Sequence, residues 1–299
     1  MGPTAVGRRP GRSVSSWVGF RSVLAFSVAL VGACAPVAQD PDRQDPGLRV
    51  VALVPSLSEL MIGIGAGGHM VARTDHDTHP GSSHLPSVGG GLDPSLEVLV
   101  SLDVDVVLTT AARETAALAE RLDRLGIETR VLPTNTLGDV FSAIDSLGAW
   151  LGAEGAAHSL ARTLEVGLAE TSERFAGLPL VTALYVVGYD PPMTTGGGTF
   201  IDDLLRVAGG ANVFADQSAA WPTVGFESIV ARNPDVVVWP AGGAENPLDL
   251  VQSLPGWRDV PAVQAGRVAF VDAGALNRPG LGLVESAHVL ARALHPGAF

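Results

Sequence analysis

The chain has 299 residues, enough for one large domain or two lobes, and 46% of them are hydrophobic, which supports a packed globular body. Its formal net charge is −12, and all 19 basic residues are arginine. That acidity argues against nucleic-acid binding and favours a basic partner surface.

The N-terminus has the pattern of an export signal. Arg8, Arg9, Arg12 and Arg21 accompany the apolar stretch Val23–Val31, and Gly32-Ala33 precede Cys34. The apolar stretch is too short to span a bilayer as a helix but fits a signal-peptide core. Cys34 is the single cysteine, so no internal disulfide can form. Val31-Gly32-Ala33-Cys34 resembles the lipobox of bacterial lipoproteins, which implies a signal peptide over 1–33 and acylation of Cys34. The alternative is a soluble exported protein with an idle thiol. Removing the four arginines before Cys34 takes the net charge from −12 to −16. Residues 34–48, rich in Pro, Asp and Gln, read as a tether.

Strand and helix patterns then alternate. Arg49–Val54, Val104–Thr109 and Thr129–Leu132 are predicted strands, with helices led by Ser58 and around Glu114–Leu125. Residues 139 to about 176 read as helical, broken at Gly152 and Gly155. The pattern restarts with a strand at Thr182–Val187, which ends in the loop GYDPPMTTGGGT, and a helix at Phe200–Ala208. Strands at Asp235–Trp239 and Arg267–Val271 and a helix at Leu283–Leu294 follow. The order predicts an α/β fold with mostly parallel sheets.

The two halves are related. Leu96–Leu108 aligns with Phe226–Val238 at an offset of 130, and Glu97, Val100, Asp105, Val106 and Val107 recur unchanged. Arg130-Val131 is matched with Arg267-Val268, and Glu59-Leu60-Met61…Gly65 with Asp203-Leu204-Leu205…Gly209. Two copies predict similar lobes, 49–150 and 179–299, joined by one long helix over 151–178, with a ligand cleft between them.

Glu97 and Glu227 open helices, where the helix dipole favours a carboxylate by about 0.3–1 kcal/mol. That explains each alone but not their repetition, which would suit two charges presented to a partner's arginines. The run TDHDTHP places His76 and His79 three apart among carboxylates. Zinc or manganese bound by His76, His79, His84 and a carboxylate, a ligand pocket, and plain solvent exposure all fit it. The GGGT run lacks the rest of a phosphate-binding loop, including its lysine.

Five phrases resemble the class III substrate-binding proteins of ABC importers, in that family's order: RVVALVPSLSELMIGIGAG, LPSVGGGLDPSLEVLVSLDVDVVL, FIDDLLRVAGGANVFAD, WPTVGFESIVARNPDVVVWP and RPGLGLVESAHVLARALHP. The resemblance covers residues 48–297. It implies a monomeric, non-enzymatic, envelope-anchored protein that carries cobalamin, haem or a ferric siderophore to a permease and its ATPase. It also implies that Glu97 and Glu227 dock on the permease. Trp221, in the WP pair, would line a corrin site, with Tyr189 and Phe200 nearby. His76 and His79 stand where the family carries tyrosines, which makes them possible axial ligands to bound cobalt or iron. Arg73 and Arg278 could neutralise anionic groups. The phrases favour a corrinoid, then haem. The rival class is a metal-dependent hydrolase, but neither GxSxG nor HExxH is present.

Overall fold

The computed structural model describes residues 47–110, 115–240 and 247–298. Cys34, the signal segment and nearly all of the tether lie outside the described residues. In the first lobe the order is β1 (Val50–Ala52), α1 (Pro55–Gly63), β2 (Met70–Ala72), α2 (Leu96–Ser101), β3 (Val106–Thr109), α3 (Thr115–Asp123) and β4 (Glu128–Val131). Two helices follow, α4 (Leu137–Leu151) and α5 (Glu154–Phe175). The second lobe runs β5 (Val181–Tyr189), β6 (Pro192–Thr194), α6 (Phe200–Val207), β7 (Gly210–Asn212), α7 (Phe226–Arg232), β8 (Val236–Pro240), α8 (Pro247–Ser253), α9 (Pro261–Gln264), β9 (Val268–Val271), α10 (Ala273–Leu276) and α11 (Leu283–Leu294).

The first sheet is wholly parallel, in the order β2-β1-β3-β4. In the second, β7, β8 and β9 build the same parallel arrangement around β5, and β6 adds an antiparallel hairpin arm. The expected α/β architecture with mostly parallel sheets is therefore present. The short strands β2, β6 and β7 lie outside every predicted strand. At three residues each they are too short to show a periodic pattern.

Side-chain alternation sets the layers. Val50, Ala52, Val106 and Leu108 of the first sheet join Ala183, Tyr185 and Val238 of the second in one core shared with α4, α5 and α11. Val51 and Val107 face an outer core with Leu99, Leu118 and Leu122. Leu184 and Val237 face another with Ile229, Val251 and Trp257. Both sheets are thus covered on both faces, as parallel sheets require.

Helix α4 begins with a capping box. Thr136 Oγ1 accepts from Asp139 N at 3.0 Å, and Asp139 Oδ2 accepts from Thr136 N at 3.0 Å. It stops at Gly152, whose φ of 66° is the left-handed cap that glycine adopts without strain. The 22 residues of α5 give a rod of about 33 Å, with Leu164, Leu168 and Phe175 turned into the shared core. The helical region thus divides at the predicted Gly152, while Gly155 sits inside α5.

The internal repeat extends to hydrogen bonding. Asp105 Oδ2 accepts from Arg49 N at 2.8 Å, just before β1. Asp235 Oδ2 accepts from Thr182 N at 2.9 Å and from Thr182 Oγ1 at 2.6 Å, at the start of β5. Asp103 and Asn233, also 130 apart, end α2 and α7 with φ of 47° and 45°. One sequence match is corrected. Val107 pairs with Thr129, and its counterpart Val237 pairs with Val268, so Arg130 is equivalent to Ala269 and not to Arg267. Identical dipeptides at an edge strand had suggested a register two residues off.

The bonds from Thr182 hold the Asp235 carboxyl below its ordinary pKa, aided by Arg267. A carboxyl with a lowered folded pKa stabilises the protein above its unfolded value and loses that effect as pH falls through the folded one. Asp235→Ala should therefore cost about 1–2 kcal/mol in urea unfolding at pH 7. The deficit should persist at pH 5 and shrink once the parent's carboxyl protonates, well below about pH 4. An equal deficit at pH 3 would mean that the charge plays no part.

Candidate functional site

A cavity of about 560 Å³ opens between the lobes. Val54, Pro55, Ser56, Thr110 and Thr134 line it from the first lobe, each just past the carboxyl end of a strand. That is where ligands bind in open α/β sheets. A second hollow of similar size, about 550 Å³, is lined by Asp235, Val236, Arg267 and Val268 at the amino ends of β8 and β9. It belongs to one lobe, so the interlobe cavity is the candidate site.

From the first lobe, His76 lines this cavity. Its loop is built by the neighbouring carboxylates. Asp77 Oδ2 accepts from Thr74 N at 2.7 Å and from Thr74 Oγ1 at 2.9 Å, closing a tight turn. Asp75 Oδ1 accepts from Ser87 Oγ at 2.5 Å, and Asp75 N donates to Gly89 O at 2.9 Å. Both acidic residues of TDHDTHP thus hold the loop and leave the His76 side chain exposed.

His79 departs from expectation. It is absent from the cavity lining, and its Nδ1 accepts from Gly81 N at 3.0 Å to cap the short helical turn Pro80–Ser82. Pro80 starts that turn directly after His79, so the ring is committed locally and does not converge with His76. His84 is exposed. Among the described residues no group of three or more His, Cys, Asp or Glu is arranged to hold a metal ion, so the zinc or manganese option has no support here.

The second lobe contributes aromatic surface. Phe200 is buried at the start of α6, and Trp221 meets it edge to face at 6.3 Å, with 44% of the tryptophan exposed. Both line the cavity. The loop bearing Trp221 is strapped down by Thr194 N to Pro222 O at 3.1 Å and Gly196 N to Ala220 O at 2.9 Å. A Cβ on Gly196 would lie 2.1 Å from Ala219 O, so only glycine permits that approach. Beneath it, Asn212 Nδ2 reaches Thr195 O at 3.1 Å, Gly196 O at 3.2 Å and Asp202 Oδ1 at 3.2 Å, while its Oδ1 accepts from Phe214 N at 3.0 Å. The GGGT run therefore shapes an aromatic wall.

Tyr189 is the other correction. It is not among the cavity's lining residues and stacks on Trp239 at 6.0 Å, beside Trp257. Uninterrupted alternation from Tyr185 and Val187 would have kept it on the cavity-side face. A register shift between Val186 and Gly188 turns it to the outer face. The predicted loop is thus the end of β5 and the turn into β6.

Arg278 sits where the lobes meet. Its Nη1 donates to Thr78 Oγ1 at 2.8 Å and lies 3.4 Å from Glu59 Oε1, both in the first lobe. Asn277 also lines the cavity, and its Oδ1 accepts from the buried Tyr185 hydroxyl at 2.8 Å. Burial raises the Tyr185 pKa, so the hydroxyl stays a donor. Arg73 instead donates to Thr74 O at 2.9 Å, supporting the His76 turn from outside the lining. Thr110, Thr134 and Asn135 were missed because lone polar residues after strands carry no motif, and their positions past the ends of β3 and β4 were the available signal. Asn277 follows α10 and carried no such signal. Among the described residues no carboxylate belongs to the lining, although the chain is strongly acidic.

Glu97 and Glu227 lie away from the cavity lining. Each is the second residue of its helix, exposed and without an ion pair among the described residues.

The model of the periplasmic binding protein family matches residues 50–275. The ABC transporter substrate-binding lipoprotein YvrC of Bacillus subtilis is 29% identical over 270 residues, covering 87% of this chain and 84% of its own. The vitamin B12 binding protein BtuF of Vibrio cholerae superposes with a TM-score of 0.71 at 22% identity, over 84% of this chain and 98% of its own. A periplasmic haem-binding protein of Pseudomonas aeruginosa gives 0.73 at 24% identity, over 84% and 94%. No helix among the described residues is long and apolar enough to cross a membrane. The chain belongs to the periplasmic binding protein family, as a non-enzymatic substrate-binding protein of the ABC-importer type.

Proposed function

We propose that this chain captures a metal-centred tetrapyrrole, cobalamin or a related corrinoid first, in the interlobe cleft and delivers it to an ABC permease. The observation that carries the reading is the lining itself. An exposed imidazole from one lobe and a tryptophan–phenylalanine wall from the other share one cavity. A flat macrocycle offers a face for aromatic contact and a metal for the imidazole. Haem is the second reading, favoured by His76 as an iron ligand and by Arg278 as a partner for propionate. A ferric siderophore is less well matched, because among the described residues Arg278 is the one arginine in the lining. On the same reading Glu97 and Glu227 dock on the permease, and acylation of Cys34 holds the monomeric chain at the outer face of the membrane, where an anchor of several acyl chains is stable.

Absorbance titrations with aquocobalamin and with haemin test this. Replacement of an axial water by imidazole should move the corrin or Soret band. His76→Ala should abolish that shift, and His79→Ala should retain it. If His76→Ala leaves the shift intact, axial ligation by His76 is wrong. If neither compound changes the spectrum or the melting temperature of the parent, the tetrapyrrole reading fails. Asn212→Ala, which leaves several buried groups unpaired beneath the Trp221 loop, should cost about 2–3 kcal/mol in urea unfolding and weaken the ligand that binds.

A further inference from the structure

The repeat carries more than its glutamates. Across 95–104 and 225–234 the degree of burial matches position by position, from exposed Ser95 and Gly225 to buried Val104 and Pro234. Both helices are anchored by one fully buried residue, Leu99 or Ile229. Both end in a left-handed Asp103 or Asn233. On an α-helix, residues three apart share a face. The face carrying Glu97 also carries Val100, and the face carrying Glu227 carries Val230. These valines are 48% and 38% exposed. A single exposed valine is ordinary. The same valine at the same depth, one turn beyond the same unpaired carboxylate on both lobes, calls for a reason that solvent exposure does not supply.

We infer that Val100 and Val230 complete two equivalent docking patches, each a carboxylate beside an apolar knob, for a partner that presents a cationic group next to an apolar hollow twice over. The inference rests on the docking role proposed for Glu97 and Glu227. The partner is the permease of the proposed function, and two equivalent patches call for two like surfaces on it. The unpaired carboxylates select its cationic groups. Burying the valines removes water from around those ion pairs, which strengthens them. Helix position fixes the distance between charge and knob on each lobe, so both lobes can be read by the same surface.

The test is the equilibrium affinity of the full chain for its purified permease–ATPase complex in lipid nanodiscs. Val100→Ser and Val230→Ser should each weaken binding about three- to ten-fold, and together by more than about ten-fold. Val166→Ser, at a 47% exposed valine on α5, is the control and should change nothing. Melting temperatures of all three should equal the parent's, because no core residue changes. If Val100→Ser/Val230→Ser binds like the parent while Glu97→Arg/Glu227→Arg does not bind, the apolar half of the patch is wrong. An effect at only one valine would overturn the equivalence of the patches. If the charge reversal also binds like the parent, the docking assignment itself fails.

Discussion

The structure depends on one shared core. Inward faces of both sheets meet α4, α5 and α11 in a single apolar cluster, so neither lobe buries its inner face alone. Above that cluster Phe200 N donates to Asn135 O at 2.5 Å, and Leu137 N donates to Asp203 Oδ2 at 3.1 Å. These bonds tie the cleft floor of one lobe to the other, beside two residues that line the cavity. Arg278 adds a further link at the rim through Thr78 and Glu59. The cleft is therefore the mouth of a continuous packed body. Its side chains are positioned by groups that would lose their partners if the lobes parted widely, and this favours a largely preformed site.

The same repeat presents two distinct surfaces. Carboxyl ends of the strands supply the cavity, with its imidazole, amides, hydroxyls and aromatic wall. The short helices α2 and α7 supply the exposed carboxylates. Among the described residues the acidic side chains lie outside the lining, which leaves the pocket suited to acceptor-rich or anionic groups on a ligand. Inside the pocket the loops are held by local bonds: the Asp77 turn under His76 and the Asn212 network under Trp221.

Much of this was legible in the sequence. A long apolar strand pattern and helical spacing broken at Gly152 pointed to β5, α4 and α5, and the 130-residue offset pointed to the two lobes. Trp221, Phe200 and His76 could be singled out because a motif flanked each one, and all three line the cavity. Tyr189 was assigned to a loop after Val187, whereas β5 continues through it past a register shift that turns it away from the cavity. His79 was misread because the residue type said nothing of its bond to Gly81 N. Arg278 could be named but not placed, since its partners lie about 200 residues away in sequence. Long-range polar contacts of this kind leave no periodic trace.

Amide hydrogen exchange of the full chain, with and without saturating aquocobalamin or haemin, shows where the ligand sits. Binding between the lobes should protect 54–58 and 74–79 on one lobe and 194–201 and 219–223 on the other together, with α3 and α8 unchanged. Protection confined to one lobe, or centred on the hollow at Arg267 and Val268, would rule out an interlobe ligand site.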